Sequence, residues 1–269
     1  MQKVIFITGI SSGFGKETAL LLAKAGHTVY GTVRRKCGLD PIVNELPMDL
    51  TDGESISAAV QTIVKKEGRI DVLINNAGMH TGGPIETLPL EYVRLQMQTN
   101  FLGVVQLVQE VLPMMRKQGG GTILNISSIG GLMGLPYQGI YSAGKFAMEG
   151  FSEALRMEVK QFNIKVVVIN PGDFRTNNTA NRKAYLAPTG DNDPYRDQYD
   201  KTLTILEKDE TKGWDPLVLA KKLVSIVACK KPANRYIMAS PDQKLAVLLK
   251  RILPGRLFGK ILRGHYGIK

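Results

Sequence analysis

The chain has 269 residues, of which 43% are hydrophobic and 22% are charged, and this composition is typical of a globular protein. Its cysteines, Cys37 and Cys229, stand far apart and form neither a disulfide framework nor a metal-ligand spacing, and its three histidines are equally scattered. We therefore expect no metal site and a reducing compartment, with the protein in the cytoplasm.

The net charge of +11 is unevenly distributed along the chain. Between residues 244 and 269 lie seven lysines and arginines and no acidic residue, so this tail carries most of the excess. The remainder is close to balanced, which argues against a nucleic-acid-binding face. No apolar run approaches the length of a membrane span, and Gly9 interrupts the first apolar run too early for a secretory signal.

The predicted elements alternate between strands and helices along the whole chain. Strands are predicted over residues 3–8, 27–33, about 42–46, 70–74, 122–126, 164–170 and about 235–238, and helices before Gly26 and over about 52–66, 89–117, 138–162 and 215–228. This order predicts an α/β fold, a single doubly wound (Rossmann-type) parallel sheet with helices on both faces. We assign residues 1–240 to this domain, about 177–213 within it to a polar, irregular substrate lid, and 241–269 to a basic amphipathic extension.

The first strand runs into a glycine-rich turn that precedes a helix. Glycines allow a pyrophosphate to approach the backbone closely, and a helix N-terminus offers it free N–H groups and positive potential. The spacing is G-x-x-x-G-x-G, and the alternative interpretation is a glycine turn without a ligand. The residues predicted to contact the dinucleotide here are Gly9, Ser11, Ser12, Gly13, Phe14 and Gly15.

The residues at the end of the second predicted strand indicate which of the two nicotinamide dinucleotides the chain prefers. Sheets of this kind that prefer NAD place an acid there for the ribose 2′-hydroxyl group, whereas Arg34 and Arg35 occupy the place here. Arginine binds phosphate in a fork geometry, so the sequence favours NADP, as NADPH in the reductive direction, with Arg34 and Ser12 on the 2′-phosphate. The alternative is a solvated basic loop.

Tyr141 and Lys145 lie four residues apart, one turn along a predicted helix. A phenol is a poor acid or base at neutral pH because its pKa is about 10, and a nearby ammonium group lowers that pKa by stabilising the phenolate. The pair is a candidate acid–base device, although a surface lysine one turn from a packing tyrosine has the same spacing. The other motifs follow the carboxyl ends of predicted strands, where parallel sheets bind ligands, and this favours one composite site.

Together the motifs make the chain resemble the short-chain dehydrogenase/reductase family over essentially its whole length. The matching residues are Thr8-Gly9-x-x-x-Gly13-x-Gly15, Asp49, Asn75-Asn76-Ala77-Gly78, Asn100, Ser128, Tyr141-x-x-x-Lys145, and Pro171-Gly172 with Thr176. Within the family, Ser128-x-Gly130-Gly131 followed by Tyr141 is most similar to hydroxysteroid, retinol and 3-ketosphinganine reductases. Gly144 departs from the family, which usually has serine there, but the departure leaves the catalytic residues intact.

The resemblance implies a role for each matching residue. Tyr141 would be the acid in reduction and the base in oxidation, Lys145 would lower its pKa and hold the nicotinamide ribose, and Ser128 would bond the substrate oxygen. Asn100 would position a water molecule in a proton relay. The other implied cofactor contacts are Asp49 with adenine, Thr176 with the nicotinamide carboxamide, and Leu50, Asn76, Ala77, Gly78, Pro171 and Gly172.

These roles predict an NADP(H)-dependent oxidoreductase that interconverts an apolar, lipid- or steroid-like ketone and its secondary alcohol. One alternative is a 3-oxoacyl thioester reductase, although such enzymes usually end soon after the last strand and this chain continues. Another is an NADP-binding regulator without turnover, which the presence of Tyr141 and Lys145 disfavours. The resemblance also implies a homodimer or homotetramer, formed through the helices near 89–117 and 138–162.

The basic tail contains two amphipathic helical patterns, separated at Pro254 and Gly255. In one interpretation its leucines and isoleucines cover the substrate pocket, and its basic face points to water. In the other interpretation the tail lies on a membrane surface, with lysines and arginines near anionic head groups and apolar side chains beneath them. The second interpretation would place the protein peripherally at a membrane surface.

Overall fold

The computed structural model describes residues 1–176 and 193–268. Its strands are β1 (Val4–Ile7), β2 (Thr28–Val33), β3 (Asn44–Pro47), β4 (Val72–Asn75), β5 (Gly121–Ile126), β6 (Ile164–Pro171) and β7 (Arg235–Met238). All pair in parallel, in the order β3-β2-β1-β4-β5-β6-β7. The strand order reverses between β1 and β4, and such a switch point opens a crevice at the carboxyl ends of the strands. The predicted doubly wound sheet is confirmed.

Helices cover both faces of this sheet. In the described residues they are α1 (Gly13–Lys24), α2 (Gly53–Glu67), α3 (Leu90–Met97), α4 (Gly103–Lys117), α5 (Gly139–Glu158), α6 (Arg196–Thr211), α7 (Pro216–Ala228), α8 (Pro241–Ile252) and α9 (Gly255–His265). Local chemistry explains several helix ends. Asp52 caps α2 by accepting hydrogen bonds from the amides of Glu54 and Ser55, and Gly68 ends it in the left-handed conformation.

Each face of the sheet contributes to its own apolar core. On one face Phe6 packs with Leu107 of α4, beneath α2, α4 and α5. On the other face Ile5 packs with Leu22 of α1 and Leu219 of α7. A strand that is buried on both faces consists of continuous apolar residues rather than alternating ones, and for this reason β1 and β6 were readable from the sequence.

The predicted helix over residues 89–117 is interrupted. A π-helical turn, Gln98–Leu102, separates α3 from α4. Such a turn has a hydrogen-bond pattern one residue wider than that of an α-helix, but it does not break the apolar pattern of the sequence. The expectation of one continuous helix was therefore wrong at this point, and Asn100 lies within the turn.

The predicted irregular lid over about 177–213 is partly wrong. Residues 177–192 lie outside the described residues, but Arg196–Thr211 forms the regular helix α6. Tyr199 and Leu206, two turns apart, face inward and are buried. The helix was missed because so many of its residues are charged that this short apolar stripe did not stand out.

The tail forms α8 and α9, as the sequence predicted, and it packs back onto the domain. Its inward side chains make a third apolar cluster with Ile129 and Met133, in which Phe258 is buried. Among the described residues, no helix combines the length and the apolar character that crossing a membrane requires. Both cysteines, Cys37 and Cys229, are free thiols at the surface.

Candidate active site

One cleft of about 1020 Å³ runs along the carboxyl edge of the sheet, from the glycine turn to the tail. Most of the residues singled out in the sequence line it, namely Gly9, Ser11, Ser12, Gly13, Phe14, Arg34, Asp49, Leu50, Asn76, Ala77, Gly78, Ser128, Tyr141, Lys145, Pro171, Gly172 and Thr176. Gly15, Arg35 and Asn100 are not among the lining residues. The motifs therefore do share one location, and the role of each residue stays a prediction.

Gly15 packs directly against the backbone of the glycine turn. A Cβ atom at this position would overlap the carbonyl oxygen of Gly9 and crowd Asn76. Asn76 Nδ2 donates to the carbonyl oxygens of Thr8 and Gly9, each at 2.9 Å. In return, Thr8 Oγ1 accepts hydrogen bonds from the amides of Asn76 and Ala77 at 3.0 and 2.9 Å. The ends of β1 and β4 are thus joined so closely that only glycine fits at position 15.

The start of α1 fits the diphosphate of a dinucleotide. The first turn of this helix contains no acidic residue, and the Ser12 side chain makes no capping hydrogen bond. Gly9 and Gly13 have φ angles of 72° and 57°, which side chains other than glycine rarely adopt, so the backbone can bend around an anion. An anion here would pair with N–H groups that the helix leaves unsatisfied and would meet the positive end of its dipole.

The two arginines after β2 have different positions. Arg34 is exposed and lines the cleft, whereas Arg35 is exposed but lies outside it. Both residues follow the end of β2, where the chain bends. The expectation that both arginines contact the cofactor stays a prediction, and of the two it is Arg34 that lines the cleft.

The π-helical turn places Asn100 beneath the loop that follows β4. Asn100 is buried, its Nδ2 donates to the carbonyl oxygen of Met79, and its Oδ1 accepts from the Met79 amide, both at 2.8 Å. Both ends of the side-chain amide thus hold the loop after Gly78 in position. The role in a proton relay that the resemblance implies for Asn100 stays a prediction.

Ser128 and Tyr141 face each other across Gly130. A Cβ atom on Gly130 would lie 3.3 Å from Tyr141 Cε1 and 3.4 Å from Ser128 Oγ. The Gly130 amide donates to Ser128 Oγ at 3.0 Å, which fixes the hydroxyl group beyond the end of β5. Because residue 130 has no side chain, the space between the Tyr141 ring and the Ser128 hydroxyl group stays open.

Lys145 is buried one turn after Tyr141 on α5. Its Nζ donates to the carbonyl oxygen of Ile126 at 2.8 Å and lies 5.8 Å from the centroid of the Tyr141 ring. Burial lowers the pKa of Lys145 to about 8, and the negative charge of Glu149 opposes that shift. The Lys145 amine is thus held near the phenol ring, and burial lets it lose its proton more easily than an exposed lysine does.

A buried polar network behind these residues was missed in the sequence. Glu149 accepts a hydrogen bond from Asn170 Nδ2 and forms an ion pair with Arg235 Nη1, each at 2.6 Å. Asn170 Nδ2 also donates to the backbone carbonyl oxygen of Ser128 at 2.9 Å. The network thus links α5, β6 and β7 to the backbone of Ser128. The spacing offered a clue, because Glu149 stands four residues after Lys145 on one helix.

His80 is a second residue that the sequence analysis missed. It is buried, lines the cleft, and stacks on the ring of Tyr141 with an interplanar angle of 16°. The two residues are far apart in the sequence and come together because β4 and β5, which precede them, are adjacent strands. No local pattern in the sequence could have indicated this contact.

The half of the cleft beyond Tyr141 has apolar walls. They come from the segment before α5, from α6 and from the tail, through Met133, Leu135, Leu206, Leu245, Leu249, Phe258, Ile261 and Leu262. Side chains from three separate parts of the chain thus enclose a chamber next to the tyrosine. One face of the tail covers this chamber, as the first interpretation of the tail expected.

The same half of the cleft is also acidic. Its carboxyl groups are Asp173, Asp209, Glu210 and Asp242, and its basic side chains are Lys212 and His265. Burial, and then the charges of Glu210 and Asp209, raise the pKa of Asp173 to about 6, while a hydrogen bond from Gln243 opposes the shift. His265 Nε2 lies 3.2 Å from Asp209 Oδ2. Carboxylates outnumber bases here, and so the potential in the chamber favours a cation.

This combination of fold and cleft has a counterpart among known proteins. A family model described as short chain dehydrogenase matches residues 3–186. The chain belongs to this family, as the sequence resemblance implied, and it is an oxidoreductase that acts between an alcohol and a carbonyl group.

Individual relatives agree with this assignment. The chain is 48% identical over 267 residues to a 3-ketodihydrosphingosine reductase from Bacteroides thetaiotaomicron, with 99% of each chain covered. A short-chain dehydrogenase from Streptomyces avermitilis is similar with a TM-score of 0.80 and 31% identity, over 98% of each chain.

Two further structures share the fold at lower identity. A short-chain dehydrogenase from Burkholderia phymatum was solved with NAD, and it is 22% identical with a TM-score of 0.79 over 92% of each chain. One from Burkholderia cenocepacia was solved with NADP, and it is 23% identical with a TM-score of 0.74 over 99% of each chain. These two structures show the shared fold, and the NAD and the NADP are ligands of those two proteins.

Proposed function

We propose that the protein uses NADPH to reduce a long-chain amino ketone, of the kind of 3-ketodihydrosphingosine, to its secondary alcohol. The observation that carries this proposal is the single cleft, which joins the dinucleotide-binding turn to an apolar and acidic chamber, with Tyr141 and Ser128 at the junction. The 48% identity to a relative named for this activity supports the same choice.

The residues at the junction suit ketone reduction. The nicotinamide supplies a hydride when it is bound. Tyr141 donates a proton to the carbonyl oxygen, and Ser128 donates a hydrogen bond to the same oxygen as negative charge develops there. Lys145, whose Nζ is held at the carbonyl oxygen of Ile126, stabilises the phenolate that remains. In the reverse direction Tyr141 accepts the proton.

Arg34 supports NADPH over NADH. It is exposed at the end of β2 and lines the cleft next to the glycine turn that contains Ser12. A guanidinium group binds a 2′-phosphate through two parallel hydrogen bonds, whereas a carboxylate at this place would bind the 2′-hydroxyl group of NAD and repel the phosphate. The residues after Val33 are Arg34, Arg35 and Lys36, and none of them is acidic.

The walls of the chamber support an amino ketone over other apolar ketones. An alkyl chain gains about 0.8 kcal/mol for each methylene group that it buries, which suits the leucine-lined half of the cleft. Burial first, and then the charges of Glu210 and Asp209, raise the pKa of Asp173, and an ammonium group beside the ketone would stabilise its ionised form. A steroid has no such group.

The carboxylates also argue against the alternative of a 3-oxoacyl thioester. The carrier arm of such a substrate contains a phosphate group, which Asp209, Glu210 and Asp242 would repel. The alternative of a regulator without turnover has less support still, because Ser128, Tyr141 and Lys145 are all present and adjacent.

The test is a comparison of kcat/KM for NADPH oxidation with four ketones. These are 3-ketodihydrosphingosine, its N-acetyl derivative, a 3-ketone of equal length without the amine, and a carrier-linked 3-oxoacyl thioester. We expect the amino ketone to be preferred over the N-acetyl form by about tenfold or more, as a lost charge-assisted contact implies. A preference for the thioester, or NADPH binding without turnover of any ketone, would contradict the proposal.

A further inference from the structure

The tail has an exposed apolar surface in addition to its buried one. Leu245, Leu248 and Ile252 follow one side of α8, and Leu257 and Ile261 lie one turn apart on α9. Their exposed fractions range from 45% to 64%. Leu245 and Ile261 also line the cleft, and so this surface begins at the mouth of the chamber.

Folding does not require these five side chains to be apolar. The inward faces of α8 and α9 are already packed, through Ala246, Leu249, Leu253, Phe258 and Leu262, against the segment that contains Ile129 and Met133. A surface helix with one packed face normally presents polar residues everywhere else. Large aliphatic side chains at five outer positions therefore indicate a partner for that surface.

Basic residues border the exposed apolar positions. The exposed basic residues of the two helices are Lys244, Lys250, Arg251, Arg256, Lys260 and Arg263. None of them forms an ion pair with another described residue, and no acidic residue occurs from Gln243 to Ile268. The partner should therefore combine an apolar interior with a negatively charged surface.

We propose that the outer face of α8 and α9, here called the docking face, binds the surface of an anionic lipid bilayer. The five aliphatic side chains enter the boundary between head groups and acyl chains, and the basic side chains contact the head groups above them. A second copy of the chain does not fit this face, because two such faces would bring positive charges together. An anionic bilayer has both an apolar interior and a negatively charged surface, as the docking face requires.

The position of the docking face has a consequence for the substrate. Because Leu245 and Ile261 belong both to this face and to the wall of the chamber, the mouth of the cleft opens beside the bilayer. A lipid ketone can then pass from the bilayer to Tyr141 along a continuous apolar surface, without crossing water. The proposal concerns binding and does not depend on which ketone is reduced.

The first experiment measures co-sedimentation of the full-length protein with vesicles at physiological salt. We expect binding to vesicles rich in phosphatidylglycerol, weak binding to phosphatidylcholine alone, and release at high salt. Arg256→Glu/Lys260→Glu/Arg263→Glu should weaken partitioning at least about a hundred-fold, since each basic residue near such a surface contributes roughly five-fold.

Matched variants separate the docking face from general effects of charge and apolarity. Lys117→Glu/Lys230→Glu/Lys231→Glu changes three exposed basic residues elsewhere and should leave vesicle binding within a few fold of the wild type. Leu248→Ser/Ile252→Ser/Leu257→Ser removes three apolar side chains of the docking face that do not line the cleft. This variant should abolish vesicle binding, as the Glu variant of the docking face does. Its control is Ile42→Ser/Val218→Ser, at other exposed apolar positions.

The activity of the Ser triple variant on a short, water-soluble ketone should stay normal, which verifies its fold and keeps this test separate from that of the proposed function. Three results would overturn the proposal. They are the absence of vesicle binding by the wild type, an equal loss of binding in the two Glu variants, and a Ser triple variant that changes oligomeric mass by light scattering while still binding vesicles. The last result would assign this face to a second copy of the chain.

Discussion

The imidazole ring of His80 stacks on the phenol ring of Tyr141, with the ring centroids 4.1 Å apart. The imidazole covers one face of the phenol and so restricts its rotation. We expect His80→Ala to lower kcat about two- to tenfold with little change in the KM for NADPH, because an aromatic pair contributes about 0.5–1.5 kcal/mol. His80→Phe keeps a flat ring and should restore most of kcat. Steady-state kinetics in which His80→Ala equals the wild type would exclude a positioning role.

Substitution of Tyr141 by phenylalanine removes the proton but keeps the ring. Turnover should fall about 10²- to 10⁴-fold, the usual contribution of a general acid, while NADPH binding measured by fluorescence stays close to that of the wild type. Lys145→Ala should lower both, because it removes the charge beside the phenol and the group that the family resemblance assigns to the nicotinamide ribose. A Tyr141→Phe variant that retains most of its activity would reject Tyr141 as the acid.

Substitution of Arg34 by aspartate should reverse the cofactor preference. The change removes the guanidinium group that faces the cleft and introduces a carboxylate that repels the 2′-phosphate. We expect NADPH binding to weaken by roughly 1.5–3 kcal/mol, with a much smaller effect on NADH. Arg35→Asp is the matched control, since Arg35 lies outside the cleft. Equal kcat/KM with both cofactors in the unmutated protein would contradict the assignment to NADPH.

Substitution of Asp173 by asparagine tests the acidic chamber through two measurements. The KM for the amino ketone should rise about tenfold, while the KM for its N-acetyl derivative should not change, because only the free amine carries a charge. In the wild type the KM for the amino ketone should fall as the pH rises through about 6, where Asp173 ionises.

The stability of the same variant should depend on pH in a defined direction. The folded-state pKa of Asp173, about 6, lies above the ordinary value of 3.8, so the stability that its protonated form contributes is fully present below 3.8 and is lost as the pH rises through about 6. Asp173→Asn should therefore be more stable than the wild type at pH 8, by about 1 kcal/mol because the side chain is partly exposed, and equally stable at pH 4. Thermal unfolding at both pH values measures the difference.

The helical face that contains Leu102, Phe146 and Met157 should form a homodimer interface. These side chains are 50%, 45% and 70% exposed, on the π-helical turn and on α5, and a stable interface requires burial of about 800 Å² per partner. Phe146→Glu/Met157→Glu should lower the mass measured by light scattering to that of one chain, whereas Val218→Glu on α7 should not. A monomeric wild-type protein at micromolar concentration would refute this expectation.

The sheet and its ligand-binding edge were readable from the sequence because they depend on local patterns. Continuous apolar runs predicted the buried central strands. The glycine spacing after β1 predicted a tight turn, and in the structure Gly9 and Gly13 adopt the left-handed backbone conformation there. The predicted ends and types of the elements were less accurate where apolar and charged side chains alternate without a clear pattern. Residues 196–211, for example, are so rich in charges that their helix was taken for an irregular lid.

The sequence did not indicate the residues whose roles depend on neighbours far away along the chain. His80 meets Tyr141, and Asp173 meets Glu210, only because different strands and helices end at the same edge of the sheet. That Arg34 lines the cleft and Arg35 does not was also visible only in the folded chain.

By itself, the sequence determined that this chain forms a doubly wound sheet, with a dinucleotide-binding turn and a Tyr141–Lys145 pair one helical turn apart. It could do so because each of these features is encoded by residues that are close together along the chain. Only the tertiary structure decided which side of the tail covers the chamber and which side remains exposed, and which carboxylates surround the substrate. These properties arise from the packing of α6, α8 and α9 around the cleft, and packing depends on distance in space rather than along the chain.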